Sequence, residues 1–115
     1  MYYVYIVRCA DGSHYTGITT DPARRMREHL QRGAACARYT RIHPVTALDA
    51  LWKTQTRAEA SRLENHLKAL PKQQKLALID NPGLLSDLLG TKLDAEAYQY
   101  LPGVTLDTLL TEKQD

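Results

Sequence analysis

Tyr2-Tyr3-Val4-Tyr5-Ile6-Val7-Arg8, then Cys9-Ala10-Asp11-Gly12-Ser13, then His14-Tyr15-Thr16-Gly17-Ile18-Thr19, is the stretch on which the fold turns. Residues 2–8 are rich in Tyr, Val and Ile and read as a strand, because aromatic and β-branched side chains suit a pleated, half-buried surface. Asp11-Gly12 is a hairpin turn signal. Residues 14–19 read as a second strand, and Gly17 inside it implies a bulge or a close approach to its backbone. Loop length then matters. A two-residue loop pairs positions whose numbers have an odd sum and puts Tyr5 and Tyr15 on opposite faces. A three-residue loop, Asp11-Gly12-Ser13, gives an even sum and puts both tyrosines on one face, since side chains alternate with period two. The residues alone leave both loops open.

Downstream, Thr20 or Asp21 can cap a helix with Pro22 at a favoured early position. That helix runs to about Gln31 and ends at Gly33, with Ala23, Met26 and Leu30 as its buried stripe. Arg25 and His29 stand four apart on a neighbouring face. Gly33 to Pro44 reads as a loop carrying Arg38, Tyr39 and Arg41. Val45 to Thr54 is a third strand with Trp52 as a core anchor. Thr56-x-x-Glu59 is a capping box that opens a helix with the stripe Ala60, Leu63, Leu67 and Leu70, and Glu64 falls on the edge of that stripe. A helix over Lys72 to Asp80 follows, and Asn81-Pro82-Gly83 breaks it. Residues 1–82 therefore read as one domain. Residues 83–115 read as an acidic, partly helical C-terminal extension, with short helices over Gly83–Leu89 and near Leu106–Leu110. The order predicts an α+β fold, a small three-stranded antiparallel sheet flanked by helices.

Composition narrows the class. The chain has 115 residues, 43% hydrophobic and 24% charged, as a single globular domain should. No apolar run approaches the ~18 residues of a membrane span. With no signal or transit peptide pattern, the expected location is the cytoplasm, and Cys9 and Cys36 are expected as free thiols. Residues 1–80 hold 13 Lys and Arg against 7 Asp and Glu, whereas residues 81–115 hold 2 against 6. A basic body suits a polyanionic partner.

Tyr5, Tyr15, Arg25, His29 and Glu64 form the inventory of a phosphodiester hydrolase. Glu64 offers a hard oxygen suited to Mg²⁺. Arg25 offers a planar fork that matches a phosphate. Tyrosine can act as acid, base or phosphate donor, although its ordinary pKa near 10 demands an activator.

The spacing carries a resemblance. Tyr3-Val4-Tyr5 and Tyr15-Thr16-Gly17, their tyrosines ten apart, with Arg25 ten further on and Glu59-Ala60-Ser61-Arg62-Leu63-Glu64 beyond, resemble the GIY-YIG nuclease superfamily over residues 2 to about 80. The similarity is nearest to its small stand-alone bacterial branch. By that resemblance the active-site tyrosines share a pocket, which favours the three-residue hairpin loop. Tyr15, with Tyr5, would position or deprotonate the attacking water, Arg25 would stabilise the scissile phosphate, and His29 would accept a proton or touch phosphate. Glu64 would hold a single Mg²⁺ or Mn²⁺. Gly17, Arg24, Arg27, Arg38, Arg41 and Lys68 are the candidate nucleic-acid contacts. The implied partner is DNA, with RNA as an alternative, in repair or recombination. No small-molecule cofactor or membrane is implied, and the oligomeric state is open. The chain departs from the family pattern in having Tyr3 in place of the first motif's glycine and Ile18 where repair-type relatives carry lysine. No separate DNA-targeting domain is expected within residues 1–115. Those departures leave a nucleic-acid-binding module of the same fold as the alternative function. A third reading docks the acidic extension on the basic body.

Overall fold

The computed structural model describes residues 1–112. Strands β1 (Tyr2–Cys9) and β2 (His14–Thr19) form the expected hairpin, followed by helix α1 (Pro22–Gln31) and a short helix α2 (Arg38–Ile42). Strand β3 (Val45–Thr54), helices α3 (Arg57–Ala69), α4 (Lys72–Asp80) and α5 (Leu85–Leu89), strand β4 (Gln99–Tyr100) and helix α6 (Leu106–Glu112) complete the chain. The sheet is antiparallel in the order β2-β1-β3-β4. It has four strands where three were expected. β4 is two residues long, too short for any alternation to announce it. Residues 113–115 of the expected extension lie outside the described residues. No helix among the described residues is long and apolar enough to cross a membrane.

The hairpin register pairs Tyr5 with Gly17 and Val7 with Tyr15, so both tyrosines do share a face. The loop has three residues, but they are Ala10-Asp11-Gly12 rather than Asp11-Gly12-Ser13. Gly12 N–H donates to the Cys9 carbonyl at 2.9 Å, and Cys9 N–H to the Ser13 carbonyl at 2.8 Å. Gly12 takes the left-handed conformation, φ 84°, which closes a type I turn into a hairpin. A loop one residue later would have forced Ser13 into that conformation. Instead the Asp11 carboxylate accepts from Ser13 N–H at 3.0 Å and from its hydroxyl at 2.6 Å.

The sheet separates two cores. On its even-numbered face, Val4, Ile6, Ala50 and Trp52 pack against Ala60, Leu63 and Leu67 of α3, then Leu78, Leu85, Leu89, Leu93 and Tyr98. On its odd-numbered face, Tyr5, Val7, Cys9 and Leu51 pack against Ala23 and Met26 of α1 and Leu109 of α6. The C-terminal extension thus contributes side chains to both cores. It is also tied down by Tyr98 Oη donating to the Glu59 carbonyl at 2.7 Å and Leu101 N–H to the Leu51 carbonyl at 2.9 Å.

Three local expectations change. Leu30 is 38% exposed, and the buried third member of the α1 stripe is His29. Helix α1 ends with Arg32, not Gly33, in the left-handed conformation, φ 56°. The Arg32 side chain offsets that strain by donating twice to the Arg41 carbonyl, at 3.1 and 2.8 Å. The expected loop from Gly33 to Pro44 contains α2, which has neither an apolar stripe nor a side-chain cap to signal it.

Gly17 is the tightest point in the hairpin. A Cβ there would fall on the Tyr5 hydroxyl and within 2.6 Å of Tyr5 Cζ. Gly17→Ala is expected to destabilise the fold by about 1–3 kcal/mol through overpacking. Gly33→Ala, where a Cβ meets nothing, should stay within about 0.5 kcal/mol of wild type. Urea unfolding of both variants checks the contrast.

Candidate active site

Sheet register and one helix face build the site. Tyr5 rises from the middle of β1 and lies over Gly17 of β2, where the missing Cβ leaves room for its ring. Tyr15 stands beside it on the edge strand, ring centroids 6.3 Å apart. One turn of α1 separates Arg25 from His29, so both face the odd side of the sheet. The His29 ring meets both tyrosines edge-on, at 5.5 Å from Tyr5 and 5.6 Å from Tyr15. Its Nε2 is 2.7 Å from Tyr5 Oη and its Nδ1 is 2.6 Å from Thr40 Oγ1. His29 and Thr40 have no exposed surface and Tyr5 keeps 1%.

Arg25 is held rather than free. Its Nη1 donates to Glu28 Oε1 at 2.7 Å and to the Ala35 carbonyl at 2.7 Å. The rest of its fork remains for a ligand. α2 also orders Tyr39, which stacks on Tyr15 at 6.0 Å and 18°, and on His43 at 4.2 Å and 20°. The segment between α1 and β3 therefore touches three members of the site, through Ala35, Tyr39 and Thr40.

Glu64 stands on α3, which packs on the other face of the sheet against β1 and β2. Lys68 connects it to the cluster, with Nζ 3.3 Å from Glu64 Oε2 and 5.8 Å from the Tyr15 ring centre. Among the described residues no group of three or more His, Cys, Asp or Glu side chains could hold a metal ion. A cation here would be held by one carboxylate, waters and substrate oxygens. That donor set fits Mg²⁺, which keeps several waters and accepts few protein ligands.

The remaining candidates divide. Arg24 is exposed and pairs with Glu28 Oε2 at 3.7 Å. Arg41 turns its Nη2 towards the Ala34 and Cys36 carbonyls, at 3.4 and 3.3 Å, and so ties the loop together. Arg38 is exposed at the start of α2. Arg27 buries Nη1 without a hydrogen-bond partner. A cleft of about 320 Å³ has Arg24, Arg25 and Glu28 in its wall. A larger cavity of about 610 Å³, lined by Tyr3, Asp21 and Leu109 among others, contains none of the cluster. The cleft with the arginines has the chemistry for a phosphate. Thr40, Cys36 and the Ala35 carbonyl were not legible as site groups, since an isolated threonine in a loop carries no pattern. Glu28 was legible only as a helical ion-pair partner of the arginines before it.

Burial sets the protonation states. It pushes the Tyr5 hydroxyl well above the ordinary tyrosine range, and Arg25 beside it only partly pulls it back. Burial likewise lowers His29 to about 4, with the Arg25 charge adding to the effect. Burial works against the Arg25 charge, but Glu28 and Tyr5 outweigh it and hold the guanidinium above its ordinary value. At neutral pH the pair is therefore an uncharged phenol against an uncharged imidazole, next to a fixed cation. His29 has both nitrogens within hydrogen-bond distance of protein oxygens and no exposed surface.

A stability consequence follows from His29. Between about pH 6.5 and 4 the unfolded chain protonates this histidine and the folded chain does not, so the unfolded state binds more protons. Stability should therefore fall as pH drops through that window. A His29→Gln variant should lose this part of the slope, read as melting temperature against pH for both proteins.

The same geometry occurs on a recognised sequence pattern. The GIY-YIG catalytic domain matches residues 1–77. A UPF0213 protein of Xanthomonas campestris is 44% identical over 84 residues, 73% of this chain and 80% of that one. A UPF0213 protein of Halobacterium salinarum is 40% identical over 78 residues, 68% of this chain and 99% of that one. The solution NMR structure of a UPF0213 protein from Bacillus halodurans is 40% identical, covering 82% of this chain and 98% of that one, with a TM-score of 0.47. The chain belongs to the GIY-YIG catalytic domain family, and its domain is of the nuclease type.

Proposed function

We propose that this chain is a divalent-metal-dependent endonuclease that hydrolyses DNA phosphodiester bonds, acting in repair or recombination. The observation that carries the reading is the buried Tyr5–His29 hydrogen bond of 2.7 Å set beside Arg25 and Tyr15. Hydrolysis needs a proton acceptor for water and a cation for the phosphate. A phenolate at Tyr5 is disfavoured by burial, but the pair can work without one. As Tyr5 takes a proton from the attacking water, it passes its own to His29 Nε2, and no phenolate accumulates. Tyr15, half-exposed at the edge strand, orients that water. The free part of the Arg25 fork neutralises a non-bridging oxygen. Glu64 would hold a single Mg²⁺ or Mn²⁺, which when bound supplies Lewis-acid charge to the leaving 3′ oxygen. Arg24, Arg27, Arg38 and Lys68 are backbone-phosphate contacts in this reading, Arg41 a loop clamp near that path, and Gly17 the seat of Tyr5.

Cleavage of labelled duplex, single-stranded and branched DNA with Mg²⁺, Mn²⁺ or EDTA tests the proposal. Wild type should cut only with metal. Tyr15→Phe, Arg25→Ala and Glu64→Ala should each lower the rate on the order of a hundredfold or more, with DNA binding retained. Full activity in Glu64→Ala would sink the metal role. Salt-sensitive binding with no cutting by wild type would replace hydrolysis with a binding role.

We further propose that residues 1–82 are the functional unit and residues 83–112 a stabilising cover. The Halobacterium relative, 99% of which is matched by 78 residues of this chain, supports the first part. Leu85, Leu89 and Tyr98 in the first core, with Leu109 in the second, support the other. A chain ending at residue 82 should melt at lower temperature than the full chain yet retain metal-dependent cutting below its melting point. Equal melting temperatures would remove the cover.

A further inference from the structure

The loop between α1 and β3 places a buried hydroxyl against the far side of the His29 ring. We propose that Thr40 is a positioning residue, whose hydroxyl accepts the His29 Nδ1–H, holds the ring in that tautomer and so presents a bare Nε2 to Tyr5. The inference rests on Tyr5 and His29 being the proton-accepting pair.

The direction of the hydrogen bonds follows from their two ends. Thr40 Oγ1 has one hydrogen, and the Ala37 carbonyl, 3.3 Å away, can only accept it. With that hydrogen on the Ala37 carbonyl, the lone pairs of Oγ1 face His29 Nδ1, 2.6 Å away, and Nδ1 is the nitrogen that carries the proton. At the other end, the Arg25 guanidinium beside the Tyr5 hydroxyl can only donate. A guanidinium takes no hydrogen from Tyr5 Oη, so that hydrogen goes to His29 Nε2, 2.7 Å away. The same tautomer satisfies both ends. In the reverse arrangement Nε2–H would point at Tyr5 Oη. The Tyr5 O–H would then have no acceptor among the described residues, and a buried unpaired donor is costly. The Cys36 thiol, 3.1 Å from Thr40 Oγ1 and itself 5% exposed, closes the remaining side. An orienting hydroxyl thus does for this histidine what an orienting carboxylate does in a hydrolytic triad, holding tautomer and ring angle. Unlike a carboxylate it adds no charge, so the imidazole keeps the low basicity its burial imposes.

Thr40→Val removes the hydroxyl at nearly constant shape, and Thr40→Ser keeps it. Two readouts apply: the tautomer of His29 from long-range ¹H–¹⁵N correlation spectra, and single-turnover cleavage alongside DNA affinity. Wild type and Thr40→Ser should carry the proton on Nδ1. Thr40→Val should shift it towards Nε2 and lose cleavage rate on the order of tenfold to a hundredfold, as loss of an outer partner of a functional imidazole does, at unchanged affinity. A wild-type ring protonated on Nε2 would overturn the proposal, as would Thr40→Val with the wild-type tautomer and rate. The wild-type tautomer decides even if Thr40→Val fails to fold. It also needs no cleavage, so a protein that never cuts DNA would defeat the nuclease reading and leave this test standing.

Discussion

A loop of odd length between β1 and β2 decides which side of the sheet each tyrosine faces. With Gly12 in the left-handed conformation the hairpin closes over three residues, and Tyr5, Tyr15 and Gly17 all point to the face covered by α1. One residue more or fewer would send Tyr15 to the opposite face, under α3 and among leucines. The same parity sets Gly17 beneath the Tyr5 ring, so the space that the ring needs and the residue that lacks a Cβ arrive together. Everything chemical in the site is anchored to that pairing.

Polarity in the site is graded by depth. Tyr5, His29 and Thr40 form an uncharged hydrogen-bonded chain in the interior, where a charge would be expensive. Arg25 pairs with Glu28, and Lys68 with Glu64, nearer the surface. α1 serves both levels, because positions 25 and 29 are one turn apart. The α1–β3 segment supplies the third dimension, with a carbonyl for Arg25, a ring for Tyr15 and a hydroxyl for His29.

The C-terminal extension shows how an acidic, interrupted sequence can still be part of a core. Leu93, Tyr98 and Leu109 lack helical or strand periodicity long enough to announce burial, yet each fills a gap at the edge of a sheet face. β4 adds two residues to β3 and extends the ladder past Trp52, whose indole then packs edge-on to Tyr100 at 5.5 Å.

Local chemistry in the chain was enough to determine the three long strands, the capped helices α1 and α3, the leucine stripe under the sheet and the spacing of Tyr5, Tyr15, Arg25 and Glu64. Those features depend on periodicity, caps and turn residues, which act over a few positions. Tertiary structure alone decided that His29 replaces Leu30 in the buried stripe, that Arg32 ends α1, and that residues 38–42 form a helix. It alone also brought Thr40 to the back of the His29 ring. These outcomes depend on which surfaces meet across the fold. A polar side chain can be buried only where its partners are already in place, and those partners stand in distant parts of the chain.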